Sequence, residues 1–398
     1  MVLIKDIQTL VSSYTDQFDT LYVKINDEYY EIRCNIPDPL IYFEKLFYPS
    51  GVNNVEILEA FSSEANKNVY NIYLKKETIC DFFSSIEENW IYKGVCYPMS
   101  QGAYENYEYD EYRAFLQTYS DETSAPHLII TYRENIYIFV DSNEQLDYKC
   151  LSRILREIAL RKLENQDYVI FHASTVELNG KGILIIGNSG AGKTTLALSL
   201  CQHHKAKFIA NDRIALKLDN NGELIAIPFS CAARLNYGTL KTLNAENDYT
   251  KWTLTNNIPS ENSDWKTFNG DKKLHILPKE LKDELNIDVK GDTKIHCVIY
   301  PKYVSEFGEP EIINVNESIS DLLTANCYTP EDPDFANDWL NIRDLNIEEL
   351  RGNAELVKRQ LLLQTKSYRF SYNFTDYANL LRELLDLIKE DDSRMLKR

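Results

Sequence analysis

The chain has 398 residues, 44% apolar and 26% charged, which is the composition of a globular protein of two or three domains. A formal net charge of −18 argues against a nucleic-acid backbone or an anionic membrane surface as the main partner. No apolar stretch reaches the length of about 18 residues that a membrane-spanning helix needs. The first residues lack the basic start and apolar run of a signal peptide, so we expect a cytoplasmic protein.

Residues 1–150 are predicted to form a smaller α+β domain. The strand candidates, which have alternating or apolar patterns, are residues 21–25, 29–34, 69–74, 128–132 and 136–140. The first two and the last two are each separated by a short polar turn, so each pair is predicted to be a hairpin. Nothing in this region points to catalysis, and we expect it to serve in recognition or assembly.

Tyrosines alternate with acidic residues and asparagine between Tyr104 and Tyr112. One interpretation is an aromatic, acidic surface that holds a basic or peptide partner. The other is a solvated acidic loop, since runs of charge are typical of solvent-exposed segments.

The second predicted domain covers residues 151–398 and begins with a helix over residues 151–163, whose apolar side chains follow helical spacing. Asn179-Gly180 separates two apolar runs and is the strongest short signal for a hairpin. Residues 242–273 are polar, and we expect a loop or an insertion there. Further predicted elements are strands over residues 168–173, 174–178, 181–186, 207–210, 214–218, 224–227, 295–300 and 368–372, and helices over 353–364 and 376–389, the last capped by Thr375.

A P-loop pattern, G-x-x-x-x-G-K-[ST], occupies residues 187–194. It follows an apolar run and precedes a good helix former, which is the strand–loop–helix order that the motif requires. The glycines let backbone N–H groups turn toward phosphate oxygens, and the helix start adds free amides and a positive dipole end. The predicted nucleotide-binding residues are Gly187, Asn188, Ser189, Gly190, Ala191, Gly192, Lys193, Thr194 and Thr195.

Two positions of the motif carry specific chemistry. Lys193 is a movable positive charge for the terminal phosphates, and the Thr194 hydroxyl can bind Mg²⁺.

Asp212 ends the next apolar strand, where its carboxylate can reach the metal ion or accept a proton from a hydroxyl. Asn211 beside it can orient water, metal or substrate. The alternative for Asp212 is an Asx turn that ends the strand.

Three further residues are site candidates. His172 either contacts phosphate and assists proton transfer or is a hydrogen-bonded core residue. Arg234 follows a strand in a loop of small residues, where it either clamps a phosphate or acidic group or makes a surface ion pair. Lys273 lies at a loop-to-strand transition and is a candidate contact for a phosphate or for the substrate.

The run Phe171-His172-Ala173-Ser174, the P-loop and the run Phe208-Ile209-Ala210-Asn211-Asp212-Arg213 together resemble HPr kinase/phosphorylase and its P-loop kinase relatives. In that family a His-containing strand and a hairpin lead into a G-x-S-G-x-G-K-[ST] loop, and a later strand ends in Ala-Asp-Asp. The chain has the family histidine and the second acidic residue, but Asn211 replaces the first. The resemblance is close over residues 171–235, looser to about residue 390, and absent from residues 1–150.

The resemblance implies a phosphoenolpyruvate-carboxykinase-like α/β domain with a mixed sheet that assembles into homo-oligomers. It also implies a kinase that uses ATP, or GTP as the alternative nucleotide, with Mg²⁺ held by Thr194 and Asp212. The γ-phosphoryl group would pass to a hydroxyl, that of Ser, on a peptide or small molecule. Asp212, His172 and Lys193 would carry the catalysis.

The family's downstream signature for binding the HPr protein is missing, so the phosphocarrier is not the expected acceptor. The chain is more similar to divergent relatives that act in peptide natural-product pathways or on free serine. Two alternatives stay open. One is a nucleotide-binding switch or scaffold with slow hydrolysis, and the other is a phosphorylase that runs the transfer in reverse.

Overall fold

The computed structural model consists of two compact units, residues 1–165 with 331–344 and residues 166–330 with 345–398. No helix in the described part of the chain is both long and apolar enough to cross a membrane. The described residues are 19–25, 28–34, 39–49, 55–60, 69–76, 90–96, 103–118, 126–140, 147–245, 252, 273–304, 308–315, 319–333 and 335–395.

In the described part of the first unit, nine strands form one sheet. Its elements are β1 (Asp19–Ile25), β2 (Glu28–Cys34), α1 (Pro39–Leu46), β3 (Val55–Leu58), β4 (Val69–Lys76), β5 (Ile91–Cys96), β6 (Tyr104–Tyr109), β7 (Tyr112–Gln117), β8 (His127–Tyr132), β9 (Asn135–Val140) and α2 (Asp147–Glu164). The order is β3-β1-β2-β4-β9-β8-β7-β6-β5, with β4 parallel to both neighbours. The two predicted hairpins are confirmed as β1–β2 and β8–β9.

The interpretation of the tyrosine-rich stretch as a solvated loop is wrong. It forms β6 and the start of β7, which pair antiparallel around the turn at Asp110 and Glu111. Tyr107 lies opposite Ala114, and both are buried. Tyr107 and Tyr109 lie two residues apart on β6 and pack in one cluster with Trp90 and Tyr112, and this packing outweighs the acidic residues between them.

Helix α2 and a late segment of the chain are joined by a buried ion network. Arg161, which is fully buried, donates from Nε to Glu157 (2.6 Å) and from Nη2 to the carbonyl of Phe335 (2.6 Å). Its Nη1 donates to Glu164, which also accepts from Arg343. The whole of α2 and residues 331–344 therefore lie in the first unit, and the boundary expected at residues 150–151 falls inside this helix.

The second unit contains a mixed sheet and six described helices. Its strands are β10 (Val169–Phe171), β11 (Ala173–Leu178), β12 (Lys181–Ile186), β13 (Lys207–Ala210), β14 (Ile214–Leu218), β15 (Leu224–Pro228), β16 (Ala233–Leu235), β17 (Leu274–Ile276), β18 (Thr293–Tyr303), β19 (Glu311–Asn314) and β20 (Lys366–Tyr372). Its helices are α3 (Lys193–His204), α4 (Tyr237–Thr242), α5 (Pro278–Leu285), α6 (Ser320–Ala325), α7 (Ile347–Gln364) and α8 (Tyr377–Met395).

The main sheet has the order β10-β14-β15-β18-β12-β11-β13, with β20 beside β18 and β19 beside β20. Strand β12 is antiparallel to β11 and parallel to β18, which confirms the antiparallel partner predicted for the strand before the P-loop. Ile183 and Ile185 pack with α3, α5 and α8, whereas Leu184 and Ile186 pack with α6 and α7. Burial on both faces explains the continuous apolar run. The mixed-sheet α/β prediction is confirmed.

Three local predictions need correction. The strand predicted over residues 168–173 is two strands, β10 and β11, because the strand is interrupted at His172. The N–H of His172 donates to the carbonyl of Asn326. Arg234 lies in β16 rather than in a loop. The helix predicted to begin at residue 376 with Thr375 as its N-cap begins at Tyr377, as α8. In the turn before it, the Asn373 side chain accepts a hydrogen bond from the Thr375 amide. The loop or insertion predicted for residues 242–273 lies largely outside the described residues.

Candidate active site

The P-loop connects β12 to α3 through three glycines, of which Gly187 and Gly192 have no room for a side chain. A Cβ on Gly187 would lie 2.9 Å from the Tyr300 ring, and one on Gly192 would lie 1.9 Å from the Tyr372 hydroxyl. Gly192 is the N-cap of α3, with φ 98°, and it offers no side chain to the first amides of the helix. These amides are therefore open to a phosphate, which the helix dipole attracts.

Lys193 is the first residue of α3, and the loop curls around its ammonium group. Nζ donates to the carbonyls of Gly187 (2.6 Å) and Asn188 (3.3 Å), and the side chain is only 8% exposed. The pKa of Lys193 is lowered to about 8, mainly by burial; Asp212 opposes this shift, and Lys273 and Arg213 contribute to it. Carbonyls solvate the charge without neutralising it, which suits a group that meets phosphate.

Asn211 connects the P-loop to the neighbouring strands. Its Oδ1 accepts from the Thr194 hydroxyl and from the Ser174 hydroxyl, each at 2.8 Å. Ser174 lies on β11 and Asn211 follows β13, and these two strands pair in the sheet. An amide does not accept a proton at neutral pH, so Asn211 orients Thr194 and is not a base.

Asp212 presents a carboxylate beside this cluster. Its backbone has φ 79°, a left-handed conformation that is strained for a residue with a side chain. Oδ1 lies 3.4 Å from Nε2 of His172, and Oδ2 lies 3.1 Å from Nη1 of Arg213. The side chain is one-third exposed (33%), so a substrate hydroxyl has access to it.

His172 is held in its neutral form. Burial lowers the pKa of His172 to about 4, and the positive charges of Lys193, Arg213 and Lys273 act in the same direction against Asp212. At neutral pH the imidazole is therefore uncharged, and its 3.4 Å contact with Asp212 is not an ion pair.

Three residues that support the site were missed by the sequence reasoning. Arg213 donates to the Tyr328 hydroxyl (2.9 Å), and the Tyr328 ring stacks on His172 with centroids 5.6 Å apart. Asn326 accepts from the Gly187 amide (3.4 Å) through its side chain. Arg213 follows Asp212 directly, so its position was a usable signal. Asn326 and Tyr328 come from a distant part of the chain with no motif around them.

The predicted site residues divide into two groups. Lys193, Thr194, Asn211, Asp212 and His172 come together, and the charge of Lys273 acts on two of them.

Two other predicted residues have different surroundings. Thr195 lies with Oγ1 2.7 Å from Oγ1 of Thr239, at the start of α4. Arg234 lies between the buried Ala233 and Leu235, opposite His275 of β17. No described contact joins Arg234 to the P-loop.

The residues beside Lys193 fit a magnesium ion. Mg²⁺ takes oxygen ligands and is held by one or two protein groups together with substrate phosphates. The hydroxyl of Thr194 and Oδ1 of Asn211 lie 2.8 Å apart, and Asp212 adds a carboxylate next in sequence. Within the described residues no group of three His, Cys, Asp or Glu side chains forms a separate metal site.

Residues 163–235 match the family model described as the HPr Serine kinase C-terminal domain. This segment is less than a fifth of the chain, but it contains the P-loop, His172, Asn211 and Asp212. The chain is HPr-kinase-like in this segment. The match thus supports the resemblance on the residues that form the site.

Two individual proteins share this similarity. The HPr kinase/phosphorylase of Prosthecochloris aestuarii (strain DSM 271 / SK 413) is 37% identical over 59 residues, which are 15% of this chain and 17% of that protein. The HPr(Ser) kinase/phosphatase from Coxiella burnetii has a structure that matches 57% of this chain and 93% of its own at 14% identity, with a TM-score of 0.27.

Proposed function

We propose that the chain is an ATP- and Mg²⁺-dependent phosphotransferase that transfers the γ-phosphoryl group to a hydroxyl, that of Ser, on a peptide or small molecule. The observation that supports this most is the accessible Asp212 carboxylate, which contacts a neutral His172 beside a P-loop. The match of residues 163–235 to the HPr Serine kinase C-terminal domain supports the same reaction class. GTP is an alternative donor.

Different residues bind the phosphates, bind the metal ion and position the Thr194 hydroxyl. The open amides of α3 and the Lys193 ammonium group hold the phosphates. Thr194 and Asp212 would hold Mg²⁺, which would neutralise negative charge on the phosphates. Asn211 fixes the Thr194 hydroxyl through its hydrogen bond.

The acceptor hydroxyl loses its proton to Asp212. Arg213 and His172 contact different oxygens of this carboxylate and so fix its orientation. Because His172 is uncharged at neutral pH, it does not form an ion pair with Asp212 that would compete with the acceptor's proton for the carboxylate. Lys273 adds positive charge near the transferred group.

The wider setting belongs to the same proposal. We place the protein in the cytoplasm, as a homo-oligomer, with residues 1–150 recognising the acceptor or mediating assembly. A peptide natural-product pathway is the proposed context, since the divergent members that the chain resembles act there. No nucleic acid or membrane partner is proposed, given the net charge of −18.

A transfer assay tests the proposal. Purified protein is incubated with γ-labelled ATP and Mg²⁺, and with free serine and a size-fractionated lysate as acceptors. We expect label on a peptide or small molecule, and a loss of about 10²–10⁴-fold in Asp212→Asn, which removes the base. Lys193→Ala is expected to abolish transfer because the phosphates lose their counter-charge.

Three outcomes of the assay would contradict parts of this proposal. Near-normal transfer by Asp212→Asn contradicts the role of that carboxylate. Label that appears only in inorganic phosphate, or is never released, contradicts the kinase and supports the nucleotide switch.

A further inference from the structure

The first unit contains a partly open cavity of about 260 Å³ that the phosphotransfer site does not use. Its lining comes from β2, β7 to β9, α2 and the late segment of the chain, all within this unit. The volume is at the small end of natural ligand pockets, which begin at about 300 Å³, and suits a molecule the size of an amino acid.

The floor of the cavity is apolar. Tyr30 is fully buried, and Ile136 and Ile158 are 6% and 3% exposed. The Tyr30 hydroxyl is already used, because it donates to Glu28 at 2.8 Å. The floor is therefore an apolar surface on which the aliphatic or aromatic part of a ligand can pack without competition from a polar group.

The wall of the cavity carries one cation whose charge has no direct counter-ion. Arg113 donates from Nη1 to the carbonyl of Trp339 (2.8 Å) and from Nη2 to that of Leu340 (3.2 Å). Within the described residues no carboxylate makes a salt bridge with this guanidinium. Burial lowers the pKa of Arg113, and Glu108 and Asp338 oppose that effect from greater distance. The carbonyls hold the group in place but leave its positive charge uncompensated.

The other two cations of the lining are already paired with carboxylates. Lys162 lies 2.8 Å from Glu28, and Arg133 lies 3.0 Å from Glu111. When Glu28 beside the lining is counted with Glu111, three cations and two carboxylates leave one net positive charge to offer an anion, in a chain whose net charge is −18. A dianion such as phosphate would exceed this single charge.

We propose that this cavity binds a small organic monocarboxylate with an aliphatic or aromatic body. The carboxylate pairs with the planar Arg113 guanidinium, which matches its geometry, and the body lies on Tyr30, Ile136 and Ile158. This site is separate from the proposed phosphotransfer and does not depend on it.

Isothermal titration calorimetry on the full chain tests the site, with 4-methylpentanoate, phenylacetate, their primary amides and inorganic phosphate as probes. We expect at least one carboxylate to bind with a Kd below about 1 mM, and its amide to bind at least about tenfold more weakly. Phosphate is expected not to compete. Equal binding of acid and amide, stronger binding of phosphate, or no carboxylate binding at about 10 mM overturns the proposal.

Variants locate the binding to this cavity. Arg113→Lys keeps the charge but loses the planar fork, and we expect about tenfold weaker binding. Arg33→Gln is the matched control, because Arg33 is also a strand arginine of this unit, pairs with Glu31 and does not line the cavity. Unchanged binding in Arg113→Lys, or an equal loss in Arg33→Gln, overturns the assignment. The acid–amide comparison needs only the unaltered chain, so it decides the question if a variant fails to fold.

Discussion

His172 is kept uncharged by its surroundings, although it contacts a carboxylate. Contact with Asp212 alone would raise its pKa, but burial and three nearby cations lower it to about 4. A neutral imidazole contacts Asp212 without neutralising it, which preserves the carboxylate as a proton acceptor. This role depends first on the burial of His172 and then on the summed charge of the site.

The shifted pKa of His172 gives a prediction for stability. Between about pH 4 and 6.5 the unfolded chain binds more protons at this residue than the folded one, so the free energy of unfolding rises with pH. We expect His172→Gln to show a shallower rise across this window in urea unfolding. NMR titration should find the imidazole neutral at pH 5.5, and an ordinary pKa near 6.5 would contradict the assignment.

Lys193 gives a second prediction at the residue scale. Its pKa is lowered to about 8, and a bound phosphate favours its protonated form. Above pH 8, ATP binding should therefore take up a proton, and affinity should fall as pH rises. Calorimetry in two buffers with different ionisation enthalpies measures the uptake. Lys193→Met should bind more weakly and lose the uptake, and an unchanged uptake would rule out Lys193 as its source.

The P-loop shows at the scale of an element why glycine spacing matters. Gly190 and Gly192 both have positive φ, but a Cβ at Gly190 meets no atom within 4 Å, whereas one at Gly192 meets the Tyr372 hydroxyl at 1.9 Å. One glycine is needed for backbone conformation alone. The other is also needed because β20 brings a tyrosine against the start of α3.

Alanine substitutions separate these two requirements. Gly190→Ala should cost about 1–2 kcal/mol of unfolding free energy from backbone strain. Gly192→Ala should cost clearly more and weaken ATP binding, because the clash displaces the N-cap of α3. Adding Tyr372→Phe should recover part of that loss. Thermal unfolding with and without ATP measures all three, and equal costs for the two alanine variants would contradict the clash.

At the scale of the whole molecule, a buried network of ion pairs joins residues 331–344, which come late in the chain, to the rest of the first unit. Arg161, Glu157 and Glu164 are almost fully buried, and each has hydrogen-bond partners. Removing one member of such a network leaves charges buried without partners, which costs more than the network itself contributes.

Substitution of Arg161 tests this arrangement in the full chain. Arg161→Met should lower the unfolding free energy of the first unit by about 3–5 kcal/mol. The surface control Arg33→Met, which breaks a pair with Glu31, should cost about 1 kcal/mol or less. Urea unfolding followed by tryptophan fluorescence measures both, since Trp90 and Trp339 lie in this unit. A similar cost for both substitutions would contradict the inference that Arg161 compensates the buried charges of Glu157 and Glu164.

Hairpins and the P-loop could be predicted because local signals specify them. Asn179-Gly180 sets the turn between β11 and β12, and the glycines with Lys193 and Thr194 set the loop. The tyrosine-rich strands β6 and β7 could not be predicted from charge, because burial of alternate aromatic rings depends on a sheet that the local sequence does not show.

The sequence by itself determined the P-loop, the strand–loop–helix order and the presence of Asp212, since each rests on neighbouring residues. Only the tertiary structure decided that Arg213 and Tyr328 contact Asp212 and His172, that Asn326 supports Gly187, and that Arg234 lies in β16 opposite His275. The same holds for the return of residues 331–344 to the first unit. Contacts between distant residues depend on how strands pair and helices pack, and no local pattern encodes them.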